Sequence, residues 1–368
     1  MSTEAALLPG ATLGMLGGGQ LGRYFTLIAR QMGYRVVVLD PDPASPAGQM
    51  ADEHVCADYH DPVALERLAA CDAITTEFEN VPADLLAALA ARTRVAPAAA
   101  AVAIAQDRAS EKNWLADHGF ATAPFAVVEF AGELDAACAR IGFPAILKVA
   151  RFGYDGKGQA RVATLEEARA AFAEFGGQTC VLEGFVRFDA ELSVVLARAY
   201  DGALAPFPPA ENRHVHGILD VSIVPARLPE AVQRRAVAEA GRLAAALDYV
   251  GVLAVEYFVA GEALLVNEIA PRPHNSGHYT LDACAASQFE QQLRALCALP
   301  FGDARLLTPV VMKNLLGDLW QPQPDWAALL ARPGLKLHLY GKTEARPGRK
   351  MGHVNVLGGD ALAIVERI

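Results

Sequence analysis

The segment LGMLGGGQLGRYFTLIARQMGYRVVVLD, residues 13–40, constrains the fold of this chain more than any other segment. A short apolar run, a glycine-rich turn and an amphipathic stretch are followed by a second apolar run. This order predicts a strand, a tight turn, a helix and a second strand parallel to the first. The segment therefore predicts a βαβ unit at the start of a parallel sheet.

The glycines of the turn, Gly17, Gly19 and Gly22, have G-x-G-x-x-G spacing, and Asp40 closes the second apolar run. This pattern is typical of dinucleotide sites, where helix N–H groups hold the pyrophosphate and the acidic residue holds a ribose. Alternatively, the glycines only allow the helix to pack tightly against the strand. The spacing thus predicts the fold of this unit and leaves its ligand open.

The same alternation of apolar runs and helical stretches continues through residues 12–106. The predicted strands are 13–16, 36–39, 55–57 and 73–75, and the predicted helices are 21–32, 62–70 and 83–91. A second region begins with a capped helix at Asp107, continues with further strands and includes a long helix at 229–247. Residues 300–368 are strand-like and rich in turns.

Length and composition limit the class of protein. A chain of 368 residues, 53% hydrophobic and 20% charged, is typical of a globular enzyme with two or three domains. The net charge of −10 argues against a nucleic-acid partner. No run reaches the roughly 18 strongly apolar residues of a membrane span, and no signal peptide is recognisable, so we expect a cytoplasmic protein without a membrane partner.

A lysine and a glycine-rich loop predict a phosphate site. Lys148 ends an apolar strand, and the sequence ARFGYDGKGQAR then supplies Gly153, Gly156 and Gly158. Such a loop can close over a polyphosphate while the lysine holds its oxygens. The alternative, a solvated hairpin tip, gives no reason for a lysine at the end of a buried strand.

Carboxylates at strand ends predict nucleotide and metal contacts. Glu183 and Glu191 flank an apolar turn and are candidates for a base amine and ribose hydroxyls, although either alone is more typical of a surface charge. Glu256 and Glu268 end two apolar runs that predict a hairpin, with Asn267 beside them. Paired carboxylates and an amide oxygen suit Mg²⁺, and without a cation such a pair would be repulsive.

Polar and basic side chains follow the hairpin and return near the C-terminus. The sequence APRPHNSGH presents Arg272, His274, Asn275, Ser276 and His278, a set suited to an anionic substrate beside a metal. The later sequence YGKTEARPGRKMGH supplies four basic residues, which predict a phosphate clamp rather than a merely solvated turn in an acidic chain. They are Lys342, Arg346, Arg349 and Lys350.

Five segments in order resemble one family over nearly the whole chain: GMLGGGQLGR, TTEFENVP, FGYDGKGQ, NEIAPRPHNSGH and RPGRKMGH. They resemble the ATP-grasp superfamily and, within it, the N5-carboxyaminoimidazole ribonucleotide synthetase family. The resemblance implies an α/β protein of ATP-grasp architecture with three parts. These are a Rossmann-like N-terminal parallel-sheet domain at 1–106, a two-lobed α+β ATP-grasp region at 107–299 with a mobile lobe at about 122–187, and a small β-rich C-terminal domain at 300–368.

The resemblance also implies an activity. An enzyme of this family carboxylates 5-aminoimidazole ribonucleotide through carboxyphosphate, using ATP and bicarbonate and releasing ADP and phosphate, in purine biosynthesis. ATP and Mg²⁺ would be bound, bicarbonate would be the co-substrate, and the chain would form a cytoplasmic homodimer.

The same resemblance assigns site residues at matching positions. ATP would contact Arg108, Lys148, the loop Gly153, Tyr154, Asp155, Gly156, Lys157, Gly158 and Gln159, then Glu183, Gly184, Phe185, Val186, Glu191, His214, Asn267 and Glu268. The ribonucleotide would contact Gln20, Leu21, Glu77, Glu79, Tyr154, Asn275, Ser276, Lys342, Arg349 and Lys350, with the choice between Glu77 and Glu79 open. Magnesium would bind Glu256 and Glu268, and the catalytic set would be Asp155, Lys157, Arg272, His274 and Lys350.

Four other functions compete with this prediction. A formate-dependent glycinamide ribonucleotide transformylase typically has glutamate–leucine where this chain has Gln20 and Leu21. A biotin carboxylase is usually longer. A nicotinamide-dependent dehydrogenase leaves Lys148, Glu256 and Glu268 without a role. A non-catalytic nucleotide-binding subunit would not need the magnesium carboxylates.

Overall fold

The computed structural model describes residues 4–153, 157–366 and 368. Three residues predicted in the phosphate loop, Tyr154, Asp155 and Gly156, lie outside the described residues. The strands are β1 (Thr12–Leu16), β2 (Arg35–Leu39), β3 (Glu53–Val55), β4 (Ala73–Thr76), β5 (Arg94–Val95), β6 (Phe125–Val128), β7 (Ala145–Val149), β8 (Gln159–Val162), β9 (Cys180–Gly184), β10 (Ala190–Arg198), β11 (Leu204–Pro206), β12 (Ala210–Val215), β13 (Ile218–Val224), β14 (Gly251–Ala260), β15 (Ala263–Ala270), β16 (Val310–Leu316), β17 (Leu335–Leu339) and β18 (Lys350–Leu357).

The helices lie between these strands. They are α1 (Gln20–Gln31), α2 (Pro62–Ala69), α3 (Ala83–Ala90), α4 (Ala99–Gln106), α5 (Arg108–Asp117), α6 (Leu134–Ile141), α7 (Leu165–Glu174), α8 (Glu230–Ala246), α9 (Thr280–Ala283), α10 (Gln288–Leu296), α11 (Trp326–Leu330) and α12 (Ala361–Val365). Short 3₁₀ helices occur at Gly48–Met50, Ala131–Glu133, Asn275–Gly277 and Gly317–Trp320. Within the described ranges, no helix is both long and apolar enough to cross a bilayer.

The N-terminal sheet has the order β3-β2-β1-β4-β5 with every pair parallel. The predicted Rossmann-like unit is thus confirmed. The predicted strand at 55–57 lies at Glu53–Val55 instead. The Asp52 carboxylate accepts a hydrogen bond from the Val36 N–H, and β3 pairs from Glu53 with Val37, so pairing begins before the apolar run does.

The central sheet runs β15-β14-β10-β12-β13-β16-β18-β17, with β11 added at β10. Strands β14 and β15 form the predicted hairpin, in which Glu256 lies directly opposite Glu268. The C-terminal strands β16, β17 and β18 join this sheet through the antiparallel pair β13–β16. The predicted β-rich C-terminal segment therefore contributes its strands to the central sheet and does not build a separate one.

A smaller sheet of order β6-β9-β7-β8 is covered by α6 and α7. Its core contains Leu147, Phe172 and Leu182, each at most 4% exposed. Strands β7 and β8 form a hairpin in which Lys148 pairs with Gln159, so the glycine-rich loop lies at the end of this hairpin. Asp107 caps α5 by accepting from the Ser110 N–H at 2.9 Å, as the sequence predicts.

Candidate active site

The glycine turn after β1 is filled by the side chain of Glu77. Its Oε1 accepts from the Gly19 N–H at 2.6 Å and its Oε2 from the Gly22 N–H at 2.9 Å. Gly17 has a φ of +95°, and a Cβ built on it would lie 2.8 Å from Glu77 Cγ. A Cβ on Gly22 would lie 3.2 Å from the same atom. The glycine spacing therefore makes room for a carboxylate from the β4–α3 loop.

This arrangement engages the N–H groups of Gly17, Gly18, Gly19 and Gly22, which a pyrophosphate would need in a dinucleotide site. Gly18 N–H donates to Asp40 Oδ2 at 2.7 Å, so the predicted ribose carboxylate is also engaged within the turn. Helix α1 has no side-chain cap from its own N-terminal segment, and Glu77 supplies the anion that a helix N-terminus favours. The dinucleotide prediction from spacing alone is thus not supported by the turn's geometry.

The two glutamates of the β4–α3 loop have different partners. Burial raises the pKa of Glu77, against the hydrogen bonds from Gly22 and Gly19. Glu79 forms an ion pair with Arg272 Nε. Although burial opposes its charge, the Arg272 guanidinium keeps the pKa of Glu79 below its usual range. The loop thus fixes both Arg272 and the N-terminus of α1.

A buried cluster of charges lies where α5 meets β7 and β9. Glu183, 3% exposed, accepts from Arg108 Nε at 2.8 Å and from Lys148 Nζ at 2.9 Å. Lys112 Nζ lies 3.7 Å from Glu183 Oε1. Burial disfavours the carboxylate, but these three cations hold the pKa of Glu183 well below its usual range. Glu183 is therefore the counterion that positions Arg108 and Lys148, and its predicted nucleotide contact stays a prediction.

The sequence reasoning missed two buried residues of this cluster, Glu111 and Lys112. Glu111 Oε1 accepts from the Ile269 N–H at 2.6 Å, and Lys112 Nζ donates to the Asn267 carbonyl at 2.9 Å. Together they hold β15 against α5. Their spacing from Arg108 was the available signal, since residues three and four apart share one helix face.

The side chains of Lys148 and Arg108 place positive charge beside Asn267 and Glu268 in strand β15. Burial, together with the nearby Arg108, lowers the pKa of Lys148 to about 8. Arg108 NH1 lies 3.5 Å from Glu268 Oε2, and its NH2 lies 3.5 Å from Asn267 Oδ1. The structure therefore brings Lys148, Arg108, Asn267 and Glu268 together, as expected for one site.

Glu256 and Glu268 present two carboxylates on one face of the central sheet. Burial and the neighbouring Glu268 charge raise the pKa of Glu256. Asn267 Nδ2 lies 3.5 Å from Glu256 Oε2. Among the described residues no group of three or more His, Cys, Asp or Glu side chains could hold a metal. Two carboxylates still fit Mg²⁺, because this ion is commonly held by one or two carboxylates together with substrate phosphates and water.

Further along this face, Glu191 Oε2 lies 2.8 Å from His214 Nδ1. Although burial disfavours the charged ring, this hydrogen bond and the Glu256 charge raise the pKa of His214. In the β9–β10 linker, the Gly184 and Phe185 N–H groups donate to the Pro124 and Pro144 carbonyls. Those two N–H groups are engaged, so a base edge would meet the rest of the linker, including Val186.

The loop after β15 carries the next predicted residues. Asn275 is 7% exposed, and neither its Oδ1 nor its Nδ2 has a hydrogen-bond partner among the described residues. An amide buried without partners is costly unless a ligand satisfies it, so Asn275 is the strongest candidate for a substrate contact in this loop. His274 and Ser276 are instead engaged with each other, His274 Nδ1 lying 2.8 Å from Ser276 Oγ.

The remaining predicted substrate residues come from α1 and the β17–β18 turn. Leu21 is 6% exposed and packs with Tyr24, so only its backbone can meet a ligand, whereas the neighbouring Gln20 is half-buried. Lys342 Nζ donates to the Lys350 carbonyl at 2.8 Å, which folds the basic turn back on itself.

Lys350 and Arg349 complete the basic turn, and Lys157, Gly158 and Gln159 belong to the predicted phosphate loop. Burial disfavours the charged forms of Glu79 and His274, and the charges of Arg272 and Lys350 lower the pKa of both groups. The basic turn therefore lies near the loop after β15. Arg349 NH1 donates to the Glu344 carbonyl at 2.8 Å. Lys157, Gly158 and Gln159 follow the three residues of the loop that lie outside the described ranges. The candidate site therefore has two sides. The first side contains cations and carboxylates, including Lys148 and Glu268, and the second side has mixed polarity and includes Arg272 and Lys350.

Comparisons with known proteins agree with this architecture. Three family descriptions match in chain order: the ribonucleotide synthetase preATP-grasp domain at residues 10–106, the ATP-grasp domain at 113–289 and the phosphoribosylaminoimidazole carboxylase C-terminal domain at 310–367. The N5-carboxyaminoimidazole ribonucleotide synthase of Brucella melitensis is 48% identical over 355 residues, covering 95% of this chain and 97% of that protein. The Bacillus subtilis enzyme of the same name is 46% identical, covering 96% and 93%.

Solved structures agree as well. An N5-carboxyaminoimidazole ribonucleotide synthetase in complex with ADP superposes with a TM-score of 0.94 at 42% identity, covering 99% of this chain and 96% of that one. The Aspergillus clavatus synthase in complex with ADP and 5-aminoimidazole ribonucleotide has a TM-score of 0.89 at 31% identity, covering 97% and 99%. This chain belongs to the N5-carboxyaminoimidazole ribonucleotide synthetase family of ATP-grasp ligases.

Proposed function

We propose that this chain carboxylates the amine of 5-aminoimidazole ribonucleotide with ATP and bicarbonate, forming N5-carboxyaminoimidazole ribonucleotide, ADP and phosphate in purine biosynthesis. The observation that carries the proposal is the juxtaposition of Lys148, Arg108 and the Glu256–Glu268 pair within a fold shared with synthetases of this name.

ATP is proposed to bind between the small sheet and the β14–β15 hairpin. Lys148 and Arg108 would hold phosphate oxygens, since both are fixed by Glu183 and carry positive charge into a largely buried region. Glu191 and His214 would face the nucleoside. Glu256 and Glu268 would hold Mg²⁺, which when bound neutralises phosphate charge during transfer.

The first chemical step would be attack of a bicarbonate oxygen on the γ-phosphorus. The bond from that phosphorus to the β–γ bridging oxygen breaks, giving carboxyphosphate and ADP. Lys148 and Arg108 would stabilise the charge that develops on the transferred group. The β7–β8 loop would exclude water from this intermediate, because carboxyphosphate hydrolyses readily.

The second step would be attack of the substrate amine on the carboxyl carbon, or on CO₂ released from carboxyphosphate. A carbon–nitrogen bond forms, phosphate leaves and the amine gives up a proton, for which Asp155 is the candidate acceptor. Lys157, Arg272 and Lys350 are the candidates for holding the carboxyl and phosphate oxygens. Asp155 lies outside the described residues, so its role rests on the family resemblance.

The ribonucleotide is proposed to bind on the second side of the site. The unpartnered amide of Asn275 would contact it, together with Gln20 and Glu79. Lys342, Arg349 and Lys350 would hold its phosphate. Both oxygens of Glu77 are already accepting N–H groups, which favours Glu79 as the carboxylate that meets substrate.

The discriminating experiment measures ADP release with two substrate pairs. Aminoimidazole ribonucleotide and bicarbonate should stimulate release, whereas glycinamide ribonucleotide and formate should not. Stimulation only by the second pair would instead identify a formate-dependent transformylase. Gln20 in place of the glutamate typical of that enzyme favours the first outcome.

The homodimer, the cytoplasmic location and the domain boundaries at 106/107 and 299/300 stay predictions. Sedimentation of the full chain would measure the oligomeric state, and limited proteolysis would test the boundaries.

A further inference from the structure

A buried line of hydrogen bonds runs below the loop after β15 and ends at an imidazole ring. Its members come from three neighbouring strands of the central sheet and from the 3₁₀ helix Asn275–Gly277 with its preceding residue. The line consists of Ser222, Asn212, Ser193, Ser276 and His274, each at most 9% exposed. Hereafter it is called the serine–asparagine relay.

The donors of the relay all point the same way. Ser222 Oγ donates to Asn212 Oδ1 at 2.8 Å, which orients the amide. Asn212 Nδ2 therefore donates to Ser193 Oγ at 2.9 Å, and Ser193 Oγ donates to Ser276 Oγ at 2.8 Å. The proton of the Ser276 hydroxyl is then available for His274 Nδ1, which lies 2.8 Å away.

A second donor acts on the same ring nitrogen. The backbone N–H of Ser276 points at His274 Nδ1 at 3.3 Å. The His274 backbone is fixed as well, since its N–H donates to Gln288 Oε1 at 2.8 Å and its carbonyl accepts from Gln288 Nε2 at 2.7 Å. A ring nitrogen that accepts carries no proton, so the neutral ring has its proton on Nε2.

The protonated nitrogen faces a carboxylate of the active site. His274 Nε2 lies 3.5 Å from Glu256 Oε1, while Asn267 Nδ2 lies 3.5 Å from Glu256 Oε2. Ser193 is directly opposite Glu256 in the β10–β14 register, so the relay passes beside this carboxylate. The Asn267 contact is a long hydrogen bond, and the His274 contact is an approach of the ring nitrogen to the carboxylate. Such contacts are often long in active sites without bound ligands and tighten when ligands bind.

We infer that His274 is a positioning residue, whose Nε2–H orients the Glu256 carboxylate and whose tautomer is set by the serine–asparagine relay. The inference rests on the proposed function, in which Glu256 binds Mg²⁺. It differs from the catalytic role that the family resemblance suggested for His274. Donors that orient metal-binding side chains change metal affinity without touching the metal.

Two substitutions of His274 test the contributions of the two ring nitrogens separately. His274→Gln places an amide NH₂ near the position of Nε2 and so retains a donor toward Glu256. His274→Asn retains a polar group only near Nδ1, where Ser276 is. Binding of Mn²⁺, a paramagnetic substitute for Mg²⁺, is measured in the presence of ADP without turnover.

We expect His274→Asn to weaken Mn²⁺ binding about 10-fold or more, the usual cost of losing an orienting group. His274→Gln should retain most of the affinity. Equal affinity in both variants would overturn the inference, and so would a larger loss in His274→Gln than in His274→Asn. Far-UV circular dichroism verifies that each variant is folded.

The tautomer is measured on the wild-type chain, and a variant serves only to assign the His274 signals. Nitrogen-15 NMR of histidine-labelled protein, with His274 assigned by its absence in a variant, should show a neutral ring protonated at Nε2. A ring that carries a proton on Nδ1, alone or together with Nε2, would overturn the inference.

The relay itself is tested by Ser193→Ala, which interrupts it beside Glu256. This variant should weaken Mn²⁺ binding, although less than His274→Asn, because the Ser276 N–H still acts on Nδ1. Thr75→Val is the matched control, since it removes another buried hydroxyl, the acceptor of Gln292 Nε2 at 2.8 Å in β4. Equal Mn²⁺ affinity in Ser193→Ala and Thr75→Val would refute the relay's part in positioning.

These outcomes are separable from the test of the proposed function. If aminoimidazole ribonucleotide and bicarbonate stimulate ADP release but His274→Asn binds Mn²⁺ normally, the inference fails and the proposed function stands. If those substrates give no stimulation but Mn²⁺ binding depends on His274 Nε2, the proposed substrate fails and the positioning role stands.

Discussion

Replacing Glu77 by glutamine tests whether a carboxylate closes the glycine turn. The substitution keeps the shape of the side chain but exchanges one acceptor oxygen for an NH₂ group. Either the Gly19 or the Gly22 N–H, now 2.6 and 2.9 Å from Glu77 oxygens, would then face a donor. The turn cannot move away easily, because Gly17 and Gly22 pack directly against the Glu77 side chain.

The expected loss follows from those two hydrogen bonds. A hydrogen bond to a charged acceptor contributes about 1.5–3 kcal/mol, and a buried N–H without an acceptor costs about 1–3 kcal/mol. The two values overlap because they concern the same N–H group. We therefore expect Glu77→Gln to lower the free energy of unfolding by about 1.5–3 kcal/mol.

Urea unfolding followed by circular dichroism measures the loss, and Glu66→Gln is the control. Glu66 forms an exposed ion pair with Arg92 at 2.6 Å, and such exposed pairs contribute little to stability because solvent screens them. The Michaelis constant for the ribonucleotide should rise in Glu77→Gln, because Gln20 begins the helix that Glu77 caps. Equal stability of Glu77→Gln and Glu66→Gln would refute the reasoning.

Three further predictions concern the nucleotide side of the site. Glu268→Gln should abolish turnover while circular dichroism stays unchanged, since one of the two proposed magnesium carboxylates is lost; near-normal activity would refute the metal role. Glu183→Gln should lower the free energy of unfolding by about 3–5 kcal/mol, because it leaves buried cations without a counterion, and a loss below about 1 kcal/mol in urea would contradict that role. For Lys148, kcat/KM for ATP should fall as the pH rises through about 8, since the charged ammonium exists below that pKa. Lys148→Arg should lose this alkaline limb because the guanidinium stays charged, and persistence of the limb would assign it to another group.

Much of the architecture follows from local patterns in the sequence. Alternating apolar and helical stretches predicted the parallel N-terminal sheet, and two apolar runs around Gly261 predicted the hairpin that pairs Glu256 with Glu268. These features depend on periodicity and turn residues within short segments, which a single sequence displays directly. The family resemblance, carried by five motifs, added the activity and the assignment of residues.

Charged pairs between distant segments were not predictable in the same way. The sequence did not indicate that the partners of Glu183 are Arg108, Lys112 and Lys148, which approach it from α5 and β7. The relay behind His274 likewise joins three strands and a loop. Nothing in the spacing of these residues distinguishes a buried counterion from a ligand contact, because both are isolated polar positions beside apolar runs.

The glycine turn shows most clearly which features depend on the sequence alone and which depend on the tertiary structure. By itself, the sequence determined that a strand, a turn and a helix begin the fold, because glycine spacing and apolar periodicity are local properties. Only the tertiary structure decided what fills the turn. Glu77, 55 and 58 residues beyond the glycines whose N–H groups it accepts, enters from the β4–α3 loop once β1 and β4 pair side by side. A helix N-terminus attracts any anion, and packing determines which one reaches it.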